Sequence, residues 1–433
     1  MSGLGTRQVR TGYSASTPQN PVTVPIYQSA AYEFSSWEHA RDIFALRRQG
    51  NVYSRTGNPT QITLEQRLAA LDDGVDALAT GSGQAAVAIA LLALAKSGDH
   101  IVASSTLYGG TMDLLVDTFK DFDIDCTLVD PHDHEAWRDA VTHRTKAFFA
   151  ESIGNPTASI LDIRKLADIA HDSGVPLIID NTVATPALIK VKDYGADIVV
   201  YSATKHLGGH GTSLAGAIVD LGTFDFGANP ERWPHLTEPF QRVGDVVLWD
   251  TFGADSSALL VYARTKLVHD LGPTLSPFNA HEILLGLETL DIRIAKMSAN
   301  TRKIVGFLQN HPGIQRVYHP LASGDPSSAE AQASLHKGAP SILSIDLVDG
   351  EDAVPRFVNG LQCFTLAANI GDARSLVIHP ATTTHSHFSD EQLAHAGFSR
   401  ATVRLSIGLE DPDDLIADLE QALVAAQLRT VTI

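Results

Sequence analysis

The sequence has few of the residues that disulfide-stapled, membrane-spanning or secreted chains depend on. It holds only two cysteines, Cys126 and Cys363, among 433 residues, which excludes a disulfide framework and favours a reducing compartment. Its longest apolar run, residues 85–95, is closed by Lys96 and is well short of the roughly 20 residues that cross a bilayer. No apolar segment of a secretory signal follows the first arginines. We therefore expect a cytoplasmic protein.

Basic residues are also scarce relative to acidic ones. The chain has 32 Lys and Arg against 50 Asp and Glu, a formal net charge of -18. A phosphate polymer or an anionic membrane surface would be repelled overall, so we expect neither as a partner. The remaining composition, 44% hydrophobic and 19% charged, is that of an ordinary globular protein. At roughly 150 residues per domain, the length predicts two or three domains.

Changes in periodicity divide the chain into three predicted parts, residues 1–60, 61–285 and 286–433. The first is rich in Pro, Ser, Thr, Tyr and Asn, which predicts an extended arm. In the second, short β-rich runs alternate with amphipathic stretches, which predicts an α/β domain around a mostly parallel sheet. The predicted strands are 76–80, 101–104, 124–129, 146–152, 176–180, 197–201 and 215–219.

The third part follows a long helical pattern. Residues 277–311 carry apolar residues at three- and four-residue spacing, which predicts one nearly continuous helix ending at Pro312-Gly313. Before it, residues 221–251 break the alternation, and a loop of that length is typically functional or disordered, so we consider that it covers the entrance of a site. Three strands and a closing helix, an α+β arrangement, are predicted at 314–318, 341–347, 401–407 and 411–429.

A glycine-bearing loop opens the first long helix of the α/β part. Thr80-Gly81-Ser82-Gly83-Gln84 follows a strand, and backbone amides at such a helix start bind anions. The spacing also fits a loose dinucleotide fingerprint, but the next strand ends in Ser104-Ser105, without the acid that holds a ribose. For this loop alone, a phosphate site and a tight turn without a ligand both remain open.

Two neighbouring strand ends add an acid and a lysine. Asp180 ends one buried strand, and Lys205 follows the next, after the hydroxyls of Ser202 and Thr204. Either residue alone is usually a cap or a solvated side chain. However, a lysine that bonds to an aldehyde must shed its proton, and a pyridine cofactor needs a carboxylate at its ring nitrogen. With the Gly83 loop, these residues meet the requirements of pyridoxal 5'-phosphate (PLP).

The 18 histidines include two close pairs that could suggest a metal site. His206 and His210 have helical ligand spacing, but Gly208-Gly209 between them would break the helix and no Glu intervenes. The second pair is His385 and His387. We expect no bound metal.

Six motifs then occur in a fixed order along nearly the whole chain. They are Tyr53-Ser54-Arg55-Thr56-Gly57-Asn58-Pro59-Thr60, Ser82-Gly83-Gln84-Ala85-Ala86, Leu107-Tyr108-Gly109-Gly110-Thr111, Glu151-Ser152-Ile153-Gly154-Asn155-Pro156, Ser202-Ala203-Thr204-Lys205-His206 and Arg404-Leu405-Ser406-Ile407-Gly408-Leu409-Glu410. Together they resemble the Cys/Met-metabolism family of PLP enzymes, of aspartate-aminotransferase-like fold type I, and within it most closely the O-acetylhomoserine sulfhydrylases. That fold implies a mostly parallel seven-stranded sheet and a smaller C-terminal domain.

The resemblance implies roles for the matching residues. Lys205 is the lysine that bonds to the cofactor, and Asp180 faces the ring nitrogen. Tyr108 stacks on the ring and assists proton transfer or departure of the leaving group, and Asn155 contacts the phenolic oxygen. The groups implied to bind the phosphate are the backbone amides of Gly83 and Gln84 and the hydroxyls of Ser202 and Thr204.

The resemblance also implies a shared site and a substrate clamp. Tyr53 and Arg55 would reach the phosphate of the neighbouring subunit, which makes a homodimer the smallest active unit and a tetramer the usual assembly. Arg404 would bind the α-carboxylate of the substrate, with Ser375 nearby. The alternation around Arg404 also fits an ordinary amphipathic strand, and both can hold.

The implied reaction is γ-replacement in methionine biosynthesis, in which O-acetyl-L-homoserine and sulfide give L-homocysteine and acetate. Gly110 stands where methionine γ-lyases carry a cysteine, and residues 371–386 are similar to the sulfhydrylase branch. A cystathionine γ-synthase or a γ-lyase would use the same Lys205, Asp180 and Tyr108. A cofactor-free binding protein is the alternative from another class, and it would be colourless.

Overall fold

The computed structural model describes residues 3–15, 19–253, 255–335, 337–386 and 388–427. A seven-stranded sheet forms the centre of the larger domain. Its strands are β1 Asp76–Thr80, β2 His100–Ser104, β3 Asp125–Val129, β4 Thr145–Glu151, β5 Leu177–Asp180, β6 Ile198–Ser202 and β7 Gly216–Asp220. They are arranged β1-β7-β6-β5-β4-β2-β3, and β7 is antiparallel to both of its neighbours while the others run parallel. The predicted α/β fold class is confirmed, and each of these strands lies within one residue of its predicted bounds at either end.

Successive residues of the strands enter two different cores. In β4, Phe148 and Ala150 pack on one face of the sheet, whereas Ala147 and Phe149 pack on the other. Because helices cover both faces, the strands read as continuous apolar runs. The α-helices of this domain are Pro59–Asp72, Gly83–Leu94, Gly109–Asp113, Phe119–Asp121, His134–Asp139, Ile163–Asp172, Thr185–Leu188, Ala258–Tyr262, His269–Leu271 and Pro277–Leu287.

Residues 221–251 pack against the large sheet instead of forming an open loop. Trp233 and Leu236 are fully buried in the core beside the helix Gly83–Leu94. Arg232 donates to the carbonyl of Thr145, where β4 begins, so the segment lies at the amino ends of the strands, away from the cavity described below. The role considered for it at the entrance of a site therefore has no support within this chain. Its elements are the short helices Phe226–Ala228, Pro230–Arg232, Pro234–Thr237, Gln241–Val243 and Leu248–Phe252 and the hairpin of β8 Pro239–Phe240 with β9 Val246–Val247.

A five-stranded sheet forms the smaller C-terminal domain. Its strands are β10 Ile314–Tyr318, β11 Ile342–Leu347, β12 Thr365–Leu366, β13 Leu376–Ile378 and β14 Thr402–Ser406. They are arranged β10-β11-β14-β13-β12, so the last strand along the chain lies in the middle of the sheet. The helices of this domain are Leu290–Leu308, Ser328–Ser334, Val354–Gly360, Asp390–His395 and Pro412–Gln427.

The structure differs from the predictions for this domain in three respects. The single helix predicted over 277–311 is two helices, because Thr289 leaves the helical conformation (φ -121°, ψ 17°) and Arg293 takes the freed carbonyl of Gly286 at 2.7 Å. The short strands β12 and β13 were not predicted. The closing helix ends at Gln427, and residues 428–429 of its predicted range lie outside the described residues.

The amino-terminal residues do not all form an extended arm. The helix Leu4–Arg10 packs on the helix Pro59–Asp72 of the same chain, and the Arg7 guanidinium bonds to Ala70 and Asp73 there. A second helix, Trp37–Phe44, presents two large exposed side chains, Trp37 at 71% and Phe44 at 63% exposure. Within the described ranges, no helix is long and apolar enough to cross a membrane.

Candidate active site

The predicted strand-end residues meet in one cavity of about 550 Å³ at the carboxyl ends of the large sheet. Glu151 ends β4, Asp180 ends β5, Ser202 ends β6, and Lys205 follows three residues after it. Parallel strands place such residues at one edge, which is where open α/β sheets bind ligands. The cavity is also lined by Ser82, Gly83, Gln84, Val87, Tyr108, Gly110, Thr111, Asp113, Leu114, Thr118, Ile153, Asn155, Thr182, Val183, Thr204, Leu214, Ala368, Asn369, Ile370, Thr384, His385 and Arg404.

The loop at Gly83 makes the close approach predicted for a phosphate cradle. A Cβ atom at Gly83 would lie 2.5 Å from the Cβ of Ser202, so only glycine fits between the two loops. The helix Gly83–Leu94 begins there, and the Ser82 hydroxyl accepts the amide of Ala85 at its first turn. The start of this helix, Ser202 and Thr204 therefore line one side of the cavity, a chemistry suited to a phosphate. The Thr204 hydroxyl also bonds to the backbone of Ala215, accepting its amide at 3.0 Å and donating to its carbonyl at 3.2 Å.

Lys205 is held in the cavity by an amide side chain. Its Nζ donates to Oδ1 of Asn369 at 2.5 Å. Burial lowers the pKa of the Lys205 amine, and the positive charge of Arg404 lowers it further. A lower pKa favours the neutral amine that an aldehyde requires.

Asp180 and Glu151 are two buried carboxyl groups at adjacent strand ends. Burial raises the pKa of both, and for Glu151 the neighbouring charge of Asp180 raises it further. Asp180 accepts the amide of Thr182 at 2.9 Å, and Glu151 accepts the amide of Tyr108 at 2.6 Å. In the described part of the chain, neither carboxyl has an ion-pair partner closer than 4.0 Å.

These groups fit PLP. Among the residues that the structure describes, none places a cation within ion-pair distance of the buried Asp180, and a protonated pyridine nitrogen would supply that charge. The Lys205 amine faces the same cavity, and the Gly83 loop offers amides for the phosphate. Tyr108 lines the cavity with half its surface exposed. A Cβ at Gly110 would lie only 2.7 Å from the Tyr108 ring, so a larger residue at position 110 would collide with the ring in this position.

Arg404 brings a buried guanidinium to the cavity from the centre of β14. Its two terminal nitrogens donate to Oδ1 of Asn155 at 3.1 Å and to the carbonyl of Asn369 at 2.8 Å. Its Nε is buried without a hydrogen-bond partner in the described structure. Burial lowers the pKa of Arg404 to about 10. In the described ranges no carboxylate forms an ion pair with Arg404, and such a guanidinium is a suitable receptor for the carboxylate of an amino acid.

Three of the predicted site residues lie outside the cavity lining. Tyr53 and Arg55 are exposed on a turn before the helix Pro59–Asp72, where the Arg55 guanidinium lies 5.3 Å over the Tyr53 ring. Ser375 is fully buried, and its hydroxyl donates to Glu410 at 2.8 Å and accepts the amide of Gly408 at 2.9 Å. The Ser375 hydroxyl is therefore already hydrogen-bonded within the chain.

Asn369 and Glu151 also line the cavity, although neither was predicted to have a role there. Glu151 could have been found by the argument that found Asp180, since it also ends a buried strand. Asn369 lies between β12 and β13, in a segment without regular structure, so no periodicity in the sequence marks the side chain that faces the cavity.

No cluster of three metal-binding side chains occurs among the described residues. The buried His206 ring is bonded to the Ser341 hydroxyl through Nε2 at 2.8 Å. His387, one member of the second histidine pair, lies outside the described residues.

The fold and the cavity define a PLP-dependent enzyme of fold type I, and comparisons with known proteins agree. A family model described as "Cys/Met metabolism PLP-dependent enzyme" matches residues 5–424. The chain belongs to this family, and its cofactor is PLP.

Full-length relatives carry related names. The O-acetyl-L-homoserine sulfhydrylase of Leptospira meyeri is 44% identical over 92% of this chain and 92% of its own length. The protein of the same name from Corynebacterium glutamicum is 43% identical over 98% of this chain and 97% of its own length. The chain is therefore similar to O-acetylhomoserine sulfhydrylases over nearly its whole length.

Two solved structures share the fold over nearly the whole chain. A Campylobacter jejuni protein assigned as an O-acetylhomoserine (thiol)-lyase, with N'-pyridoxyl-lysine-5'-monophosphate bound, superposes with a TM-score of 0.92 at 38% identity, covering 98% of this chain and 100% of the other. A cystathionine γ-synthase from Xanthomonas oryzae pv. oryzae superposes with a TM-score of 0.84 at 32% identity, covering 99% of each chain.

Proposed function

We propose that the protein is an O-acetylhomoserine sulfhydrylase, which converts O-acetyl-L-homoserine and sulfide to L-homocysteine and acetate in methionine biosynthesis. The observation that carries this proposal is the convergence of Lys205, Asp180 and Arg404 on one cavity, in a chain 43–44% identical to two proteins of that name. In the reaction, the C–O bond at the γ-carbon breaks and acetate leaves with its electron pair. Sulfide supplies the electron pair of the new C–S bond.

Different residues of the cavity bind different parts of the cofactor. Lys205 bonds to PLP, Asp180 stabilises the positive charge at the ring nitrogen, and Asn155 contacts the phenolic oxygen. When bound, PLP withdraws electrons from the α-carbon of the amino acid. The phosphate is held by the amides of Gly83 and Gln84 and the hydroxyls of Ser202 and Thr204.

The substrate is placed by Arg404 and deprotonated by Lys205. Arg404 binds the α-carboxylate with its guanidinium, which orients the α-carbon toward the lysine. The Lys205 amine, its pKa lowered by burial, removes the α-proton and then moves protons at the β-carbon. Tyr108 assists proton transfer or departure of acetate. Ser375, engaged by Glu410, acts as a positioning residue for the segment that holds Asn369.

The assembly is a homodimer at least, and a tetramer by resemblance, with Tyr53 and Arg55 serving the phosphate of the neighbouring subunit. Their exposed position outside the cavity of their own chain supports this part of the proposal. The two free cysteines, Cys126 and Cys363, favour the cytoplasm.

A cystathionine γ-synthase reaction, with cysteine in place of sulfide, is the second candidate. The similarity to the Xanthomonas oryzae synthase over 99% of both chains supports it. A γ-lyase would use the same residues and release 2-oxobutyrate.

Product analysis separates these reactions. The purified protein, supplied with PLP and O-acetylhomoserine, is given sulfide, cysteine or no thiol, and products are identified by mass spectrometry. We expect homocysteine chiefly with sulfide. Cystathionine as the main product with cysteine, or 2-oxobutyrate as the main product with sulfide present, would assign the protein to the synthase or lyase reaction instead.

A lysine variant tests the central residue. Lys205→Ala should lose the covalently bound cofactor, so that borohydride no longer fixes PLP to the protein, and turnover should stop. The readouts are mass spectrometry of the reduced protein and homocysteine formation. Exposed Lys120→Ala is the matched control, and it should behave as wild type. Borohydride fixation and normal turnover in Lys205→Ala would refute the assignment.

A further inference from the structure

The Glu151 carboxyl group bonds to the backbone of the loop that carries Tyr108. Its Oε1 accepts the Tyr108 amide at 2.6 Å. Glu151 ends β4, whereas Tyr108 follows β2 and directly precedes the helix Gly109–Asp113. Because β2 and β4 are neighbours in the sheet, the carboxyl group at the end of one strand reaches the loop after the other. Both residues line the active-site cavity.

The Tyr108 ring depends on its backbone for its orientation. The ring is 51% exposed, so the surrounding protein covers only half of its surface. The next two residues, Gly109 and Gly110, have no side chains that would restrict the backbone. Side chains hold this backbone at two points, because Gln84 donates to the carbonyl of Gly110 at 2.8 Å and Glu151 accepts the amide of Tyr108. The second bond lies at Tyr108 itself and therefore controls the direction in which the ring leaves the backbone.

The position of Glu151 favours an acid over an amide. Burial raises the pKa of Glu151, and the charge of Asp180 on the adjacent strand raises it further. Interactions with the backbone amides of Tyr108 and Asn155 oppose this rise. A carboxylate can accept from both amides, because it has two acceptor oxygens and no hydrogen. A glutamine has only one acceptor oxygen, and its NH2 group would face one of the two amides.

We infer that Glu151 is a positioning residue, which holds the Tyr108 ring over the cofactor through its bond to the Tyr108 amide. The inference rests on the proposed role of Tyr108 and adds the group that maintains it. Glu151 itself does not react, and its effect passes through the tyrosine. Since a shift of about 1 Å in a group near the chemistry can cost roughly 100-fold in rate, loss of this bond should impair both stacking and turnover.

A double-variant cycle on cofactor affinity is the direct test. Glu151→Gln keeps the size of the side chain, and equilibrium dialysis of the holoenzyme gives the dissociation constant of PLP. We expect Glu151→Gln to raise this constant by about tenfold or more in wild type and to weaken the visible circular dichroism of the bound cofactor. In Tyr108→Ala, which has no ring to hold, the same substitution should change the constant by less than about twofold.

Asp162→Asn is the matched control. Asp162 also accepts a backbone amide at a helix start, that of Lys165 at 3.1 Å, but it lies outside the cavity lining. The same change from carboxyl to amide should leave PLP affinity and the visible circular dichroism as in wild type.

Glu151→Asp separates position from charge. It keeps the negative charge but is one methylene shorter, so its carboxyl group should not reach the Tyr108 amide, and PLP affinity should fall as in Glu151→Gln. Normal affinity in Glu151→Asp, or an equal effect of Glu151→Gln with and without the Tyr108 ring, overturns the inference. If urea unfolding shows that Glu151→Gln does not fold, Glu151→Asp is measured in the same two backgrounds.

The Tyr108→Ala variant alone tests the role on which the inference rests. It should bind PLP more weakly than wild type and show a weaker visible circular dichroism. If it binds PLP like wild type, the proposed role of Tyr108 and the inference about Glu151 both fall. Homocysteine formation by wild type tests the proposed reaction separately.

Discussion

At the scale of single residues, Arg404 connects the two domains at the site, because it contacts Asn155 of the larger domain and Asn369 of the C-terminal domain. Its guanidinium is buried and already donates to Asn155 and Asn369, so its removal affects both the substrate and these neighbours. We expect Arg404→Ala to weaken binding of O-acetylhomoserine by about 2–5 kcal/mol, the usual cost of truncating one partner of a buried charge pair. Arg404→Lys should recover only part of this, because an ammonium cannot form the bidentate pair.

The measurement is the KM for O-acetylhomoserine at saturating sulfide, together with the KM for sulfide at saturating O-acetylhomoserine. A carboxylate receptor changes mainly the first. If Arg404→Ala leaves the first KM unchanged, the residue does not bind the substrate.

Asp72 provides a residue-scale prediction about pH. Its buried carboxylate accepts the Tyr201 hydroxyl at 2.8 Å, and burial raises the pKa of Asp72 from 3.8 to about 7 in spite of that bond. Between these pKa values the folded protein binds the proton that the unfolded chain releases, so stability present at low pH is lost as pH rises toward 7. Relative to Asp72→Asn, wild type should lose roughly 2–3 kcal/mol of unfolding free energy between pH 5 and 8.

Urea unfolding of both proteins at the two pH values measures this difference. The exposed substitution Asp139→Asn is the control and should unfold in parallel with wild type. Parallel behaviour of Asp72→Asn and wild type would contradict the raised pKa of Asp72.

The residues of the site were predictable where they end strands. Asp180 and Lys205 follow buried apolar runs, and the sequence shows such runs directly. Asn369 was not found and Ser375 was predicted at the substrate, because residues between β12 and β13 have no repeating pattern that tells which side chain faces inward. Only the fold shows that Ser375 turns toward Glu410 and Asn369 toward Lys205.

At the scale of elements, residues 221–251 are part of the core and distant from the chemistry. Trp233 is fully buried. The Phe226 ring lies edge-on to it with the two ring centroids 5.2 Å apart, and the Lys146 amine lies 5.3 Å from the centroid of the Trp233 ring. We expect Trp233→Ala to lower the free energy of unfolding by about 3–5 kcal/mol, the usual loss for a buried tryptophan. Both KM values should change little in the protein that stays folded.

Urea unfolding and steady-state kinetics at 20 °C, roughly the temperature of greatest stability for many proteins, would test this. Phe122→Ala, which removes a ring that is 52% exposed, is the control and should destabilise much less. A large rise in either KM for folded Trp233→Ala would show that the segment does reach the active site.

Elements were predictable in proportion to their length and burial. The strands of the large sheet are apolar runs covered on both faces, so the sequence locates them to within one residue. The two-residue strand β12 carries no periodicity at all. The break at Thr289 depends on contacts that the sequence does not show, since Arg293, four residues further on, bonds to the carbonyls of Gly286, His206 and Leu207.

At the scale of the whole molecule, the exposed Tyr53 and Arg55 predict a site shared between chains. Lys205→Ala lacks the residue that bonds the cofactor, and the double variant Tyr53→Phe/Arg55→Ala lacks the groups proposed for the neighbouring site. Each homo-oligomer should be inactive or weakly active. A co-assembled mixture should regain part of the activity, because one of its sites contains only intact groups.

Differently tagged chains, purified as a verified mixed oligomer, allow this activity to be measured. Mixed oligomers of Lys205→Ala with Arg404→Ala are the control. They should not recover, since Lys205 and Arg404 both line the cavity of their own chain and each of the two cavities therefore keeps one defect. Absence of recovery in the first mixture would place Tyr53 and Arg55 outside the site.

The position of β14 has a consequence for how the molecule is made. This strand carries Arg404, and it enters between β11 and β13, both of which precede it along the chain. During synthesis the ribosome therefore releases two unpaired strand edges before their common partner exists, and such edges readily join other chains. A prematurely terminated product would hold the lysine and aspartate of the cofactor site but no receptor for the substrate, and it would be a target for chaperones or proteases.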